Sequence, residues 1–259
     1  MRKILLILIT ASLFTGCGLY KKYQRPDVLT DGLYRDSVYL TDTLSLGNVS
    51  YKELFTDPKL QILIERGLEN NTNLRIARMR VEDAEISLKT AQLAYIPSLN
   101  FAPQGNISSF DNRSAIKTYN VGASASWEID IFGKLTNAKR GAEMVVEQSN
   151  AYRQAVQTML VATISDSYYT LLMLDCQLEI SRRTLLNWQE NVRVMRALKK
   201  AGQVNEAAVA QSEANCLSVE ASVVALQRQI NQMENSLSTF LADAPHAIER
   251  GRLEDQIFP

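Results

Sequence analysis

Few side chains in this chain are of a type that could do covalent or acid–base chemistry. Its one histidine, His246, stands in a linker-like stretch, where an imidazole is ordinarily solvated. The sequence holds neither a glycine-rich phosphate loop nor a zinc-binding helix pattern, so no catalytic residue, cofactor or metal ligand is expected. With 28 basic and 28 acidic residues there is no basic field to hold nucleic acid. Three cysteines, Cys17, Cys176 and Cys216, and two carboxylates, Glu128 and Asp130, are the residues whose surroundings matter. The carboxylates fall on the polar side of an alternating segment. Facing a water-filled lumen they would bias it toward cations; the plainer reading is that they are solvated rim residues.

The segments that position them, 98–110 and 118–131, alternate apolar and polar residues with a period of two, as strands do. In the second, Tyr119, Val121, Ala123, Ala125, Trp127, Ile129 and Ile131 share one face, and Asn120, Gly122, Ser124, Ser126, Glu128 and Asp130 share the other. The first repeats this with Leu99, Phe101, Pro103 and Ile107 against Asn100, Gln104, Asn106 and Ser108, although Pro103 and Gly105 weaken it. The polar run Asp111, Asn112, Arg113, Ser114 supplies the turn. Alternation of this length fits a half-buried hairpin of a soluble sheet and a membrane β-hairpin equally, so the rest of the chain must decide.

At the N-terminus, Arg2 and Lys3 precede an apolar run, 4–14, too short to span a bilayer and followed by small residues, the pattern of a secretory signal peptide covering 1–16. Leu13, Phe14, Thr15, Gly16, Cys17 resembles a lipoprotein box, with Phe14 where leucine is usual, and implies acylation of Cys17. Residues 17–56 then read as a lipid-anchored extension. Beyond the signal no stretch is apolar and long enough for a transmembrane helix, so a membrane crossing would have to be made by strands.

Everything else reads as long helix. Over 58–95, Leu60, Leu63, Gly67, Asn70, Leu74, Ala77, Val81, Ala84, Leu88, Ala91 and Tyr95 recur at heptad spacing, with Asp57 as N-cap and Pro58 at the first position. A second helix, 134–201, would run for roughly 100 Å at 1.5 Å per residue; its two heptad registers are joined by a slip between Thr163 and Leu171. A third, 206–241, carries one seam through Val209, Cys216, Val223, Ile230 and Leu237 and another through Ser212, Val219, Leu226, Met233 and Phe240. The glycine break at Gly202 makes the last two an antiparallel hairpin. The first and third helices, about 57 and 54 Å long, together match the middle one, so both should pack along it. Cys176 and Cys216 then differ by nearly 20 Å in height, too far for a disulfide.

The stretch 126–135 contains Trp127, Glu128, Asp130, Phe132 and Gly133 and resembles the signature "WE(L/I)D(L/I)FG(K/R)L" of the TolC-type outer membrane efflux proteins, lipoprotein branch. Tyr23, Gln24, Arg25, Pro26, the run from Leu54 to Leu60, and Ala201, Gly202, Gln203, Val204 agree with it. The resemblance implies a mainly α fold with a β-hairpin: coiled-coil helices forming part of a periplasmic α-barrel, plus two antiparallel transmembrane barrel strands. It also implies a homotrimer in the outer membrane, lipid-anchored and reaching into the periplasm. Such a trimer passes drugs, metals or proteins from an inner-membrane transporter through a periplasmic adaptor, which docks at the tip Gly202, Gln203, Val204. The family has two tandem repeats; here 57–245 resembles the first and 246–259 the inter-repeat linker, with the second absent. A truncated or split half, and a lipidated periplasmic adaptor, are the alternatives.

Overall fold

The computed structural model describes residues 26–27, 50–109 and 114–256. The expected signal segment, Cys17, and the turn residues Asp111, Asn112 and Arg113 lie outside the described residues. Two compact units are present: Thr90–Arg140 forms the described body of one, and 50–89 with 141–256 forms the other.

The first unit holds a two-stranded antiparallel sheet, β1 (Ser98–Ser108) and β2 (Ile116–Ser126). Its register runs from Ser98↔Ser126 to Ser108↔Ile116, so residues paired across the ladder share a face. Leu99, Phe101 and Pro103 stand on the same side as Ala125, Ala123 and Val121, while Asn100, Gln104 and Asn106 share the other with Ser124, Asn120 and Thr118. Pro103 stays within the ladder opposite Val121. At Gly105 the ring of Tyr119 covers the place of the missing side chain, where a Cβ would lie 3.4 Å from it.

The sequence predicts β2 as far as Ile131, but it ends at Ser126. The ladder explains this: Trp127 would have to pair with Pro97, and the chain before Pro97 is already turning out of a helix, with Ile96 N–H donating to Leu93 O at 3.0 Å. A strand without a partner has no ladder to extend.

In the second unit, α1 (Tyr51–Leu54) leads to α2 (Pro58–Asn70), whose N-cap Asp57 accepts from Lys59 N–H at 2.8 Å. The sequence predicts one helix over 58–95; instead α2 stops and α3 (Thr72–Leu93) begins at once. Asn71 makes the break. Its backbone leaves the helical region (φ −56°, ψ 126°), its Oδ1 accepts from Leu74 N–H at 3.0 Å, and its Nδ2 donates to Phe240 O at 2.9 Å. An asparagine side chain competes with the helix for backbone groups, and here a carbonyl from the far end of the chain holds it in place.

The long helix α4 (Lys134–Lys200) and α5 (Glu206–Phe240) form the antiparallel hairpin. Between them Gly202 takes φ +72°, Gln203 N–H reaches Leu198 O at 2.9 Å and Gly202 N–H reaches Lys199 O at 3.0 Å; Asn205 then caps α5. Arg196 with Glu213 and Ser212 with Asn191 tie the arms together. Farther down α4, α2 approaches closely enough that a Cβ on Gly67 would meet Ile164, and Arg80 of α3 lies over the Tyr152 ring at 5.3 Å. Both shorter elements therefore pack along α4. The heptad positions Leu60, Leu63, Leu74, Ala77, Val81, Ala84, Val209, Ser212, Ile230 and Leu237 are buried. The tightest core is at the supposed slip, where Ile164, Tyr168, Leu171 and Leu172 of α4 are almost wholly buried with Leu60, Ile64 and Leu241.

Candidate functional site

No described helix is long and apolar enough to cross a membrane, which leaves the hairpin as the described element suited to two environments. Both its strands are exposed along their whole length, and large apolar side chains are bare on one face: Leu99 (84%), Phe101 (66%), Tyr119 (74%) and Val121 (68%). A small protein does not leave an apolar face of this size to water without a partner for it. Each eleven-residue strand rises roughly 34 Å, or about 26 Å at the usual barrel tilt, close to the roughly 25 Å apolar band of outer-membrane barrels. Lys117 and Ile116, whose polarity breaks the pattern, sit at the turn end of the ladder, and the small Ala102 lies opposite Gly122 on the polar face.

Glu128 and Asp130 lie past the strand, not on its polar face. Glu128 pairs with Lys134 at 2.6 Å. Asp130 accepts from Leu135 N–H at 3.0 Å, Thr136 N–H at 2.8 Å and Thr136 Oγ1–H at 2.6 Å, so it satisfies the bare amides at the start of α4. Those bonds, that from the Thr136 hydroxyl foremost, hold its carboxyl below the usual aspartate value. Trp127 donates its indole N–H to Tyr95 O at 3.1 Å, Phe132 is exposed, and Gly133 takes φ +74° to turn into α4. The signature residues are thus brought together as a hairpin-to-helix joint. Gly202, Gln203 and Val204 form the turn between α4 and α5, remote in sequence from that joint. Cys176 and Cys216 are both free thiols, each half-buried.

Sequence reasoning missed a second polar cluster. Asp57 Oδ2 accepts from the Tyr168 hydroxyl at 2.5 Å and from Gln256 Nε2 at 2.9 Å, and the same hydroxyl accepts from Gly251 N–H at 3.0 Å. Arg250 bridges Asp175 and Glu234, at 2.5 and 2.6 Å. Partial burial opposes the charge of Asp57, but the bonds from Tyr168, Lys59 N–H and Gln256 outweigh it and lower its carboxyl. Burial, then the bond to Asp57, pushes the Tyr168 hydroxyl well up, and the contact with Asp175 above all raises the Arg250 guanidinium. The cluster fastens the segment after α5 onto α2 and α4. An acidic N-cap was readable; its partners 111 and 199 residues away were not.

Residues 63–243 match the family model "Outer membrane efflux protein". The chain belongs to this outer membrane efflux protein family. Among its relatives, the cation efflux system protein CusC of Escherichia coli K12 is 26% identical over 243 residues, which span 92% of this chain and 53% of CusC. SilC of Salmonella typhimurium, named a probable outer membrane lipoprotein, is 29% identical, over 92% of this chain and 52% of SilC. Among solved structures, the open state of the MtrE outer membrane channel of Neisseria gonorrhoeae is similar with a TM-score of 0.75 and 25% identity, over 93% of this chain and 55% of MtrE. This efflux-family chain therefore spans about half the length of the relatives it matches and shares the fold of a solved outer membrane channel.

Proposed function

We propose that this chain builds part of an outer-membrane conduit for efflux, with the hairpin contributing two strands to a transmembrane barrel and the helices continuing the passage into the periplasm. Family membership supports the class; the observation that carries the mechanism is the ladder register, which places Leu99, Phe101, Tyr119 and Val121 on one face and Asn100, Gln104, Asn106, Asn120 and Ser124 on the other. In a closed barrel the first face meets lipid and the second lines water, and closure satisfies the two open strand edges that a lone hairpin leaves bare. No chemical step is required of the protein, which acts as a passive path and not as an enzyme.

The remaining strands must come from further repeats, supplied by a second half and by other protomers, three in the family. Export of small molecules, metal ions or drugs would depend on an inner-membrane transporter and a periplasmic adaptor, the latter meeting the turn at Gly202, Gln203 and Val204. Acylation of Cys17 would add a lipid anchor to the outer membrane. The test is conductance in planar bilayers, with the chain reconstituted alone and with a second-repeat polypeptide from a relative. Channels that require both halves are expected. A chain released in soluble form by Cys17→Ser, giving no conductance alone or with the second-repeat polypeptide, would overturn the reading in favour of a periplasmic adaptor.

A further inference from the structure

The two eleven-residue strands hold one charged side chain between them, Lys117, and the register puts it on the face of Tyr119 and Val121. The polar face carries no charge from one end of the ladder to the other. Its cross-strand pairs are Asn100 opposite Ser124, Gln104 opposite Asn120 and Asn106 opposite Thr118, and all six side chains are exposed. Among the described residues the ladder's side-chain hydrogen bonds are those joining Ser98 to Ser126, so the four amides keep their donors and acceptors for other partners. The carboxylates that follow β2 do not supply the missing charge. Glu128 is paired with Lys134, and Asp130 is bonded to the first amides of α4.

We propose that Asn100, Gln104, Asn106 and Asn120 form an uncharged amide belt on the water side of the hairpin, which makes this length of the passage indifferent to the sign of a solute's charge. This rests on the reading of the hairpin as membrane-spanning, and it names the solutes admitted there: hydrated cations, hydrated anions and neutral polar molecules alike. Channels that select by sign use rings of carboxylates, or of lysine and arginine, and the ladder's water side offers neither. A carboxylate only accepts hydrogen bonds and an ammonium only donates them, whereas each amide does both. The belt therefore turns a carbonyl to the water shell of a cation and an NH2 to that of an anion. From Asn100 to Asn106 it covers roughly 20 Å of strand at 3.4 Å per residue, so a solute meets it over more than half the height of the apolar band outside. Ala102 opposite Gly122 leaves a small step within it, where a Cβ on Gly122 would meet only Ala102 O, at 4.0 Å.

The test uses the full chain carrying Cys176→Ser and Cys216→Ser, assembled with the second-repeat polypeptide in outer-membrane vesicles. Single substitutions Gln104→Cys, Asn106→Cys and Asn120→Cys are each treated with a cationic and with an anionic methanethiosulfonate. Both reagents should react at all three positions, in the ratio of rates they show toward free cysteine in solution. Adding Asn120→Asp to Gln104→Cys puts a carboxylate directly across the ladder and should favour the cationic reagent severalfold; in planar bilayers Asn120→Asp alone should raise the K+ to Cl− permeability ratio. A preference of about tenfold for either reagent without that carboxylate, which a local potential of roughly one kT produces because the two reagents differ by two charges, overturns the belt and leaves the water-lined hairpin standing. A ratio that Asn120→Asp leaves unmoved also overturns it, since charge on this face would then not govern passage. Failure of both reagents at all three positions overturns the spanning hairpin itself.

Discussion

Tyr168→Phe isolates the contact that fastens the C-terminal segment to the helices. The side chain is wholly buried, and phenylalanine fills the same volume, so packing changes little. What is lost is one oxygen serving two bonds: it donates to Asp57 at 2.5 Å and accepts from Gly251 N–H at 3.0 Å. A bond to a charged group contributes about 1.5–3 kcal/mol and a neutral one about 1; allowing for water reaching the half-buried Asp57, the net loss should be about 2 kcal/mol. That is roughly a 30-fold rise in the open population of the segment, since each 1.36 kcal/mol is a factor of ten. Hydrogen exchange read on peptides covering 246–256 should speed up by about that factor at Gly251, while peptides from 206–230 exchange as before. Unchanged exchange at Gly251 would refute the assignment of Tyr168 as its anchor. Global unfolding would refute the claim that the contact is local.

The pH dependence has a definite sign. The Asp57 carboxyl is lowered in the folded chain, so its contribution is complete above the ordinary value of 3.8 and is lost as pH falls through the lower folded value; Asp57→Asn should be less stable at neutral pH and flatter below pH 4, as read by urea denaturation. Asn71→Ala removes the cap of α3 and the bond to Phe240 O and should lower stability by about 1–2 kcal/mol, with Asn71→Asp intermediate because it keeps only the cap. A Cβ on Gly202 meets nothing within 4 Å, so Gly202→Ala should cost only its left-handed backbone, about 1 kcal/mol, and Gly202→Asn less, in thermal unfolding.

Much of this was legible because the signals are periodic. Heptad spacing marked the buried positions from Leu60 through Ala84, with Asn70 exposed and Asn71 buried in its place, and those at Val209, Ile230 and Leu237, since a coiled-coil seam must repeat to stay facing its partner. Strand parity likewise assigned the faces of the hairpin. The misses share a different cause: each depends on a group distant in sequence. Asn71 breaks an otherwise continuous heptad because Phe240 O is there to receive its amide. The end of β2 is set by Pro97 on the other strand's approach, and so Asp130 belongs to the start of α4 and not to a strand face. Ile164 and Tyr168 lie off the seams because three further segments converge on α4 there, a crowding that no single helix pattern encodes.

The central claim is that one face of the hairpin meets lipid and the other meets water. Single cysteines placed at positions 118–125, in a Cys176→Ser, Cys216→Ser background in outer-membrane vesicles, test it through their reaction with a membrane-impermeant thiol reagent. The account predicts modification at 118, 120, 122 and 124 and protection at 119, 121, 123 and 125. Uniform modification, or uniform protection, of all eight would contradict it.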